Sequence, residues 1–199
     1  MTGADKTDFD TLFTSWTSNG INNLDNANGA GRADYAASLA VLTSGPQAVA
    51  SVSGTTVNLP AVTNAMAGWW YESSLGVNSS QALIVDLTSS VLTDLTATLA
   101  WDVTQTETGG GQYLDTTDTG VIFPDLDLEL LPVSYSGGAY TLGSSLGVPG
   151  LMSKSTGLDS DNVEHLYFSS GSLNPGLYAF VISNNSGPDW NYGFSYRMD

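Results

Sequence analysis

The clearest alternation of apolar and polar positions lies between Val121 and Val133, where the chain reads VIFPDLDLELLPV. From residue 125 onward, acids and leucines alternate strictly. The acids are Asp125, Asp127 and Glu129, and the leucines between them are Leu126, Leu128 and Leu130. Because successive side chains of a β-strand point to opposite faces, this pattern predicts a strand with one leucine face and one acidic face. A helix would instead spread the three leucines around its axis.

Two interpretations of the acidic face are open. It is either a solvated face of a sheet or a ladder of carboxylates that takes part in a calcium site. A partly buried ladder needs charge compensation, from calcium or from a scarce base such as Lys154 or Arg197. In either case we expect the leucine face to lie in a core.

The chain after Gln47 repeats this alternation in shorter segments, separated by turns rich in Gly, Asn, Ser and Pro. The predicted strands are Ala48–Val52, Thr56–Leu59, Ala67–Tyr71, Gln81–Leu87, Leu95–Asp102, Val121–Leu131, Ala139–Leu142, Val163–Phe168, Leu177–Ser183 and Tyr192–Arg197. Short strands at this spacing predict a mainly β fold, a jelly-roll-like antiparallel β-sandwich over residues 47–199. The long irregular connection at 143–162 is a candidate functional loop.

Residues 1–46 follow a helical period instead, with apolar residues at i, i+3, i+4 and i+7. This period predicts a short helical N-terminal segment, with one helix near residues 8–16 and a second at Arg32–Leu42. The apolar faces that we predict to form an assembly interface consist of Phe9, Leu12, Phe13, Trp16, Tyr35, Leu39 and Leu42. This set is too large to leave in water, so the segment is expected to fold back on the sandwich or to dock on a neighbouring copy.

The charge balance is strongly acidic, with 20 acidic residues against 4 basic ones and a formal net charge of −16. Nucleic acid and anionic membranes would be repelled by such a chain. Cysteine is absent, which excludes disulfides and thiolate metal sites. No apolar run reaches the length of a membrane span, and the first ten residues lack the pattern of a signal peptide.

The phrases MTGADK and GAGRADYAASLAVLTSG resemble the closing segment of a subtilisin-like serine protease (subtilase) catalytic domain. In that family a Gly-x-Gly turn leads into a last Ala-rich helix. The resemblance implies that residues 1–46 correspond to the end of a catalytic domain. The Asp, His and Ser of the triad would lie upstream of Met1, and none of the three is present here.

The second half carries a sharper resemblance. LTATLAWDV, PDLDLELLP, DNVEHLYF, NPGLYAFVIS and YGFSYRM follow one another in that order. Together they resemble the β-sandwich that follows the catalytic domain in many secreted bacterial subtilases, similar to prepeptidase C-terminal and proprotein-convertase P domains. The resemblance implies a chain located outside the cell or on its surface.

The residues give little support for catalysis. The one histidine, His165, lies in a predicted strand, where we expect a hydrogen-bonded structural role. One histidine without cysteine excludes an ordinary zinc site. We therefore predict that the chain is not an enzyme.

Calcium is the one candidate cofactor, because it prefers several oxygen ligands. The candidate ligands are Asp159, Asp161, Asn162 and Glu164 in one acidic loop, together with Asp125 and Asp127 on the predicted strand. A second acidic loop covers residues 25–28. Neither loop matches an EF-hand, so ordinary Asx-turn chemistry is the alternative for both.

Aromatic residues are frequent, and stacked aromatic rings can bind carbohydrate. The candidates are Trp69, Trp70, Tyr71, Trp101, Trp190, Tyr192 and Tyr196. The alternative is that these rings belong to the core and rim of the sandwich. Carbohydrate or matrix therefore stands among the expected partners.

Two functions follow from these observations. The first is a non-catalytic extracellular β-sandwich that acts in assembly or adhesion, as a structural subunit of a filament or matrix with other copies as partners. The second is an accessory or targeting domain of a secreted subtilisin-like protease, with the protease domain as partner.

Overall fold

The computed structural model describes residues 4–5, 32–33, 35–102, 125–148, 150–153, 162–169, 172–186 and 188–199. One helix lies within them, α1 (Tyr35–Ser44). The strands are β1 (Ala4–Asp5), β2 (Arg32–Ala33), β3 (Ala50–Ser53), β4 (Thr56–Val57), β5 (Val62–Thr63), β6 (Ala67–Leu75), β7 (Ser79–Asp86), β8 (Leu95–Trp101), β9 (Asp125–Ser136), β10 (Ala139–Leu142), β11 (Met152–Ser153), β12 (Val163–Phe168), β13 (Leu177–Ser186) and β14 (Trp190–Met198). Each of the ten predicted strands is present, with β1, β2, β5 and β11 added.

Two sheets stack face to face. The smaller sheet has the order β12-β8-β14-β6, and the larger one contains the run β7-β13-β9-β11. Along the chain, β6 to β9 alternate between the two sheets, and so do β11 to β14. The first and last of these eight strands, β6 and β14, are antiparallel neighbours. This is the strand order of a jelly roll, so the predicted fold class, a mainly β jelly-roll-like sandwich, is confirmed.

The main core lies between the sheets. Leu126, Leu128 and Leu130 are fully buried there, as the alternation predicts. β13 supplies Phe180 and Ile182 from the neighbouring strand, with Ile182 directly opposite Leu128. The leucine face of β9 therefore anchors one wall of the core.

The opposite face of the larger sheet encloses a second core, because this sheet closes on itself. β10 pairs with both β4 and β9, and β3, β7 and β13 complete the ring. Each of the six strands contributes to the buried cluster, which consists of Ala50, Val57, Ala82, Ile84, Leu131, Leu142, Ala179 and Val181. The acidic face of β9 borders this cluster. Glu129, opposite Val181, is consequently only 8% exposed, so the interpretation of the acidic face as solvated does not hold at this residue.

The N-terminal segment differs from its prediction at one end. Arg32–Ala33 forms β2, which pairs with β1, so the helix begins at Tyr35 and not at Arg32. Helix α1 lies against β6 and β14 and buries Val41. Immediately after it, Pro46 bridges to Trp69 of β6.

The connection at 143–162 is partly structural. Leu151 is buried in the main core, and its carbonyl accepts a hydrogen bond of 2.9 Å from the Leu130 amide. Gly150 adopts a φ of +85° and passes so close to β12 that an added Cβ would overlap the Tyr167 carbonyl oxygen. Only glycine fits this approach. Residues 154–161, where the predicted acidic loop begins, lie outside the described residues.

Candidate functional site

A row of residues crosses the outer face of the smaller sheet at one level. The register places Tyr71 of β6 beside Gly193 of β14, Gly193 beside Ala100 of β8, and Ala100 beside Val163 of β12. Gly193 and Ala100 have little or no side chain, and nothing lies within 4 Å of a Cβ added at Gly193. The outer surface of the sheet is therefore depressed at Gly193 and Ala100, and the Tyr71 side chain projects beside this depression.

An open cleft of about 260 Å³ occupies this low region. Its lining residues come from three strands of the smaller sheet and from their ends. They are Tyr71, Ala100, Trp101, Asp102, Asn162, Asn191, Tyr192 and Gly193. The side chains of Trp101 and Tyr192 belong to the main core, so they form the layer beneath the floor.

The polar side chains of the rim are linked to one another. Asn191 Nδ2 donates to the Tyr71 hydroxyl at 3.3 Å and to Asp102 Oδ2 at 3.2 Å. Asn162 Nδ2 donates to the Trp101 carbonyl at 2.8 Å, and the Asn162 carbonyl accepts from the Trp101 amide at 3.1 Å. These bonds place one aromatic ring, one carboxylate and two amides around a single opening.

Buried aromatic residues hold the floor in place. Trp190 Nε1 donates to the Asp102 carbonyl, which fixes the backbone next to the cleft carboxylate. Trp70 Nε1 donates to the Tyr192 hydroxyl at 2.8 Å, and that hydroxyl donates to Gln81. Burial raises the pKa of Tyr192 well above its ordinary value, so its hydroxyl stays protonated and keeps donating. The cleft therefore rests on a rigid layer.

The seven aromatic residues named as candidates for carbohydrate binding differ in their exposure to solvent. Tyr71 is 62% exposed, and each of the others is buried or half-buried. The sequence interpretation did not include Ala100, Asp102, Asn191 or Gly193 in a site. Gly193 gave the one available signal, because a glycine inside a strand often marks a close approach of a ligand or of backbone.

The candidate calcium ligands that the structure describes lie apart from one another. Asn162 is exposed at the cleft, whereas Glu164 is fully buried and accepts a hydrogen bond from the Ser153 hydroxyl. Asp159 and Asp161 lie outside the described residues. Within the described part of the chain, no group of three or more acids and histidines has the spacing to hold a metal ion.

The two candidate calcium ligands on β9 lie elsewhere, on the larger sheet. Asp125 and Asp127 are half-buried, and Asp127 Oδ2 accepts a hydrogen bond of 2.6 Å from Asn185 Nδ2. Arg197, named above as a candidate partner for these acids, forms an ion pair of 2.6 Å with Asp199. Calcium binding stays a prediction.

His165 is buried on the outer side of β12. Its Nδ1 lies 2.9 Å from the hydroxyl of Thr98, which is also buried. This contact agrees with the structural role expected from the sequence.

Part of the predicted assembly interface is described. Leu39 and Leu42 on α1 are 46% and 67% exposed. Phe9, Leu12, Phe13 and Trp16 lie outside the described residues, and so does the side chain of Tyr35. Val41, which is not part of the predicted face, is buried. The assembly interface stays a prediction. Among the described residues, no helix is both long and apolar enough to cross a bilayer.

Comparison with known proteins adds little to this geometry. No protein-family model matches the sequence, and no curated protein matches it significantly. One solved structure is described as a family 6 carbohydrate-binding module. Its alignment with this protein covers 78% of this chain and 95% of the module's chain, with 10% sequence identity and a TM-score of 0.26. A TM-score this low carries no argument, so the cleft is interpreted from its own residues. The resemblance to subtilase C-terminal regions stays a prediction.

Proposed function

We propose that this chain is a non-catalytic extracellular adhesion module whose ligand binds in the cleft between Tyr71 and Asp102. The observation that carries the proposal is the exposed Tyr71 ring standing over an open floor of Gly193 and Ala100. A large exposed aromatic ring beside converging polar groups is the usual composition of a binding site. The extracellular location rests on the resemblance to sandwiches of secreted proteins.

The chemistry of the rim supports binding without catalysis. Among the described residues that line the cleft, Asp102 is the one carboxylate and no histidine is present. General acid–base hydrolysis needs a paired acid and base, as in glycoside hydrolysis, where two carboxylates flank the reacting bond. A single carboxylate held by Asn191 is suited to accepting hydrogen bonds from a ligand.

The chain offers a matched pair of tyrosines for the test. Tyr71 in the cleft is 62% exposed, and Tyr135 on the larger sheet is 59% exposed. Purified protein is sedimented with washed cell-wall material from the source culture. We expect Tyr71→Ala to lower the bound fraction strongly and Tyr135→Ala to leave it unchanged. If Tyr71→Ala binds like the parent protein, the cleft is not the adhesion site.

A second function, self-assembly, is favoured by one specific observation. Leu39 and Leu42 expose large apolar side chains on a helix that lies against β6 and β14 and buries Val41. Two such leucines on one helix offer an apolar contact to another copy. Light scattering of the double variant Leu39→Ser/Leu42→Ser tests this, with the fully exposed Leu59→Ser as control. Assembly through the helix predicts loss of oligomers in the double variant alone. A parent protein that stays monomeric at high concentration contradicts the hypothesis.

A further inference from the structure

We infer that the ligand of the cleft is an uncharged carbohydrate, with a sugar ring stacked on Tyr71 and its hydroxyls bonded to Asp102, Asn162 and Asn191. This inference rests on the proposed function, because it names the ligand class of the same site. It is argued from the polar atoms that the cleft offers, from its size and from its charge.

The polar atoms of the cleft are mainly hydrogen-bond acceptors. Asn191 uses its amide N–H groups on Tyr71 and Asp102, and Asn162 uses an N–H group on the Trp101 carbonyl. Their amide oxygens and the Asp102 carboxylate can accept hydrogen bonds from a ligand. A set of acceptors selects a ligand that presents several O–H donors in a small volume. A sugar ring has this property, and its C–H face also suits an aromatic ring.

The size of the opening fits one or two sugar units. Its volume of about 260 Å³ lies just below the range of roughly 300–1,000 Å³ that is typical of pockets for drug-sized ligands. A lone exposed ring gives a stacking surface for one sugar ring. The floor of Gly193 and Ala100 lets that ring approach the sheet, because a larger side chain at either position would fill the space.

The negative charge of the cleft and of the whole chain disfavours anionic sugars as ligands. The cleft contains a carboxylate, and the chain carries a formal net charge of −16. Uronates and sulfated sugars would therefore be repelled, whereas a neutral sugar pays no such penalty. A cationic ligand is the other chemistry that an acceptor-rich site attracts, and salt dependence separates the two. Screening weakens the attraction of a cation and leaves hydrogen bonding and stacking of a neutral sugar nearly unchanged.

The experiment is a titration calorimetry panel on the intact protein. The probes are neutral oligosaccharides of glucose, xylose, galactose, mannose and N-acetylglucosamine, an oligouronate, and a chitosan oligomer as the cation. We expect at least one neutral probe to bind, with an affinity that is unchanged between low and high salt. Tyr71→Ala should weaken it about tenfold or more, since truncating a central aromatic anchor typically costs this much.

Three further variants make the result specific. Tyr71→Phe keeps the ring and should recover most of the lost affinity. Asp102→Asn keeps the shape, replaces one acceptor oxygen by a donor and should weaken binding. Tyr135→Ala is the control and should bind like the parent protein. Unfolding curves of all variants exclude loss of fold as the cause.

The outcomes separate this inference from the proposed function. If only the oligouronate binds, or only chitosan binds and does so in a salt-sensitive way, the ligand class is wrong. The ligand class is also wrong if no sugar binds. In each case the adhesion site stands as long as Tyr71→Ala still abolishes sedimentation with cell-wall material. If sedimentation is unaffected by Tyr71→Ala, the adhesion site itself is wrong. Neutral-sugar binding that is equal in Tyr71→Ala and the parent protein overturns the stacking assignment.

Discussion

The replacement Leu128→Ala is the most direct test of how the sandwich is built. Leu128 is fully buried in the main core, opposite Ile182 of β13. On the other side, β9 pairs with β11, where Ser153 lies opposite Leu128. Removing most of this side chain leaves a cavity in a wall that is hydrogen-bonded on both sides.

The magnitude follows from that position. Leucine-to-alanine changes in cores cost about 2–5 kcal/mol, and the cost rises as the surrounding structure is less able to collapse. Because both neighbouring strands hold β9 in place, we expect about 3–5 kcal/mol. For a chain of this size, such a loss corresponds to a drop in melting temperature of roughly 6–20 °C. It is also a large fraction of the total of about 5–15 kcal/mol that a typical protein has.

Urea unfolding measures this loss of stability. An unchanged slope of the unfolding free energy against urea concentration would show that the variant exposes the same surface on unfolding. Leu59→Ala is the matched control, because Leu59 is fully exposed and its loss should change stability by less than about 0.5 kcal/mol. A Leu128→Ala protein that loses less than about 0.5 kcal/mol would refute the assignment of the leucine face to the core.

Three further predictions concern single features. Gly150→Ala should lower stability by about 2 kcal/mol or more, since its Cβ would overlap the Tyr167 carbonyl; an unchanged melting curve would contradict this. Hydrogen bonds from the Thr88 hydroxyl and amide lower the pKa of Asp86 below its ordinary value of 3.8. The stabilisation of the fold by the Asp86 carboxylate is therefore complete well above pH 3.8 and is lost as the pH falls through the pKa of Asp86 in the folded state. The stability difference between the parent and Asp86→Asn should therefore shrink in acid, and a constant difference from pH 2 to 6 would argue against it. Calcium bound by segment 159–164 predicts a lower melting temperature after addition of chelator, and identical curves with chelator and with millimolar calcium would remove calcium.

The sequence predicted the inward face of β9 correctly because a period of two fixes which side chains share a face. It could not predict how deeply Glu129 is buried. That burial comes from the second core, which exists because β10 returns to pair with β4, a strand far away in the sequence. A local pattern shows which residues share a face, but not what covers that face.

The helix shows the same limit in another form. Its apolar period marked Leu39 and Leu42 as one face, yet among the residues of α1 whose burial is described, Val41 is the buried one. The contact with β6 and β14 decides the rotation of α1, and the pairing of β1 with β2 decides where it can begin. Both are long-range contacts that outweigh a short helical period.

The candidate site was largely hidden in the sequence for a similar reason. Tyr71 was one of seven aromatic candidates, and nothing local distinguished it from its buried neighbours. Its partners are Asp102, just after the end of β8, and Asn191 on β14, and only the register of the sheet brings them together. Segments of ordinary composition thus form a site by alignment across strands.

The double pairing of β10 has a consequence for how the molecule can associate with itself. An open sheet edge is a template on which a strand from another molecule can be added. Because both edges of β10 are occupied, by β4 on one side and β9 on the other, an incoming strand at this end would first have to break an existing ladder. We expect this end of the sheet to resist strand exchange and cross-β stacking, so that copies meeting here would join through side chains and stay separable.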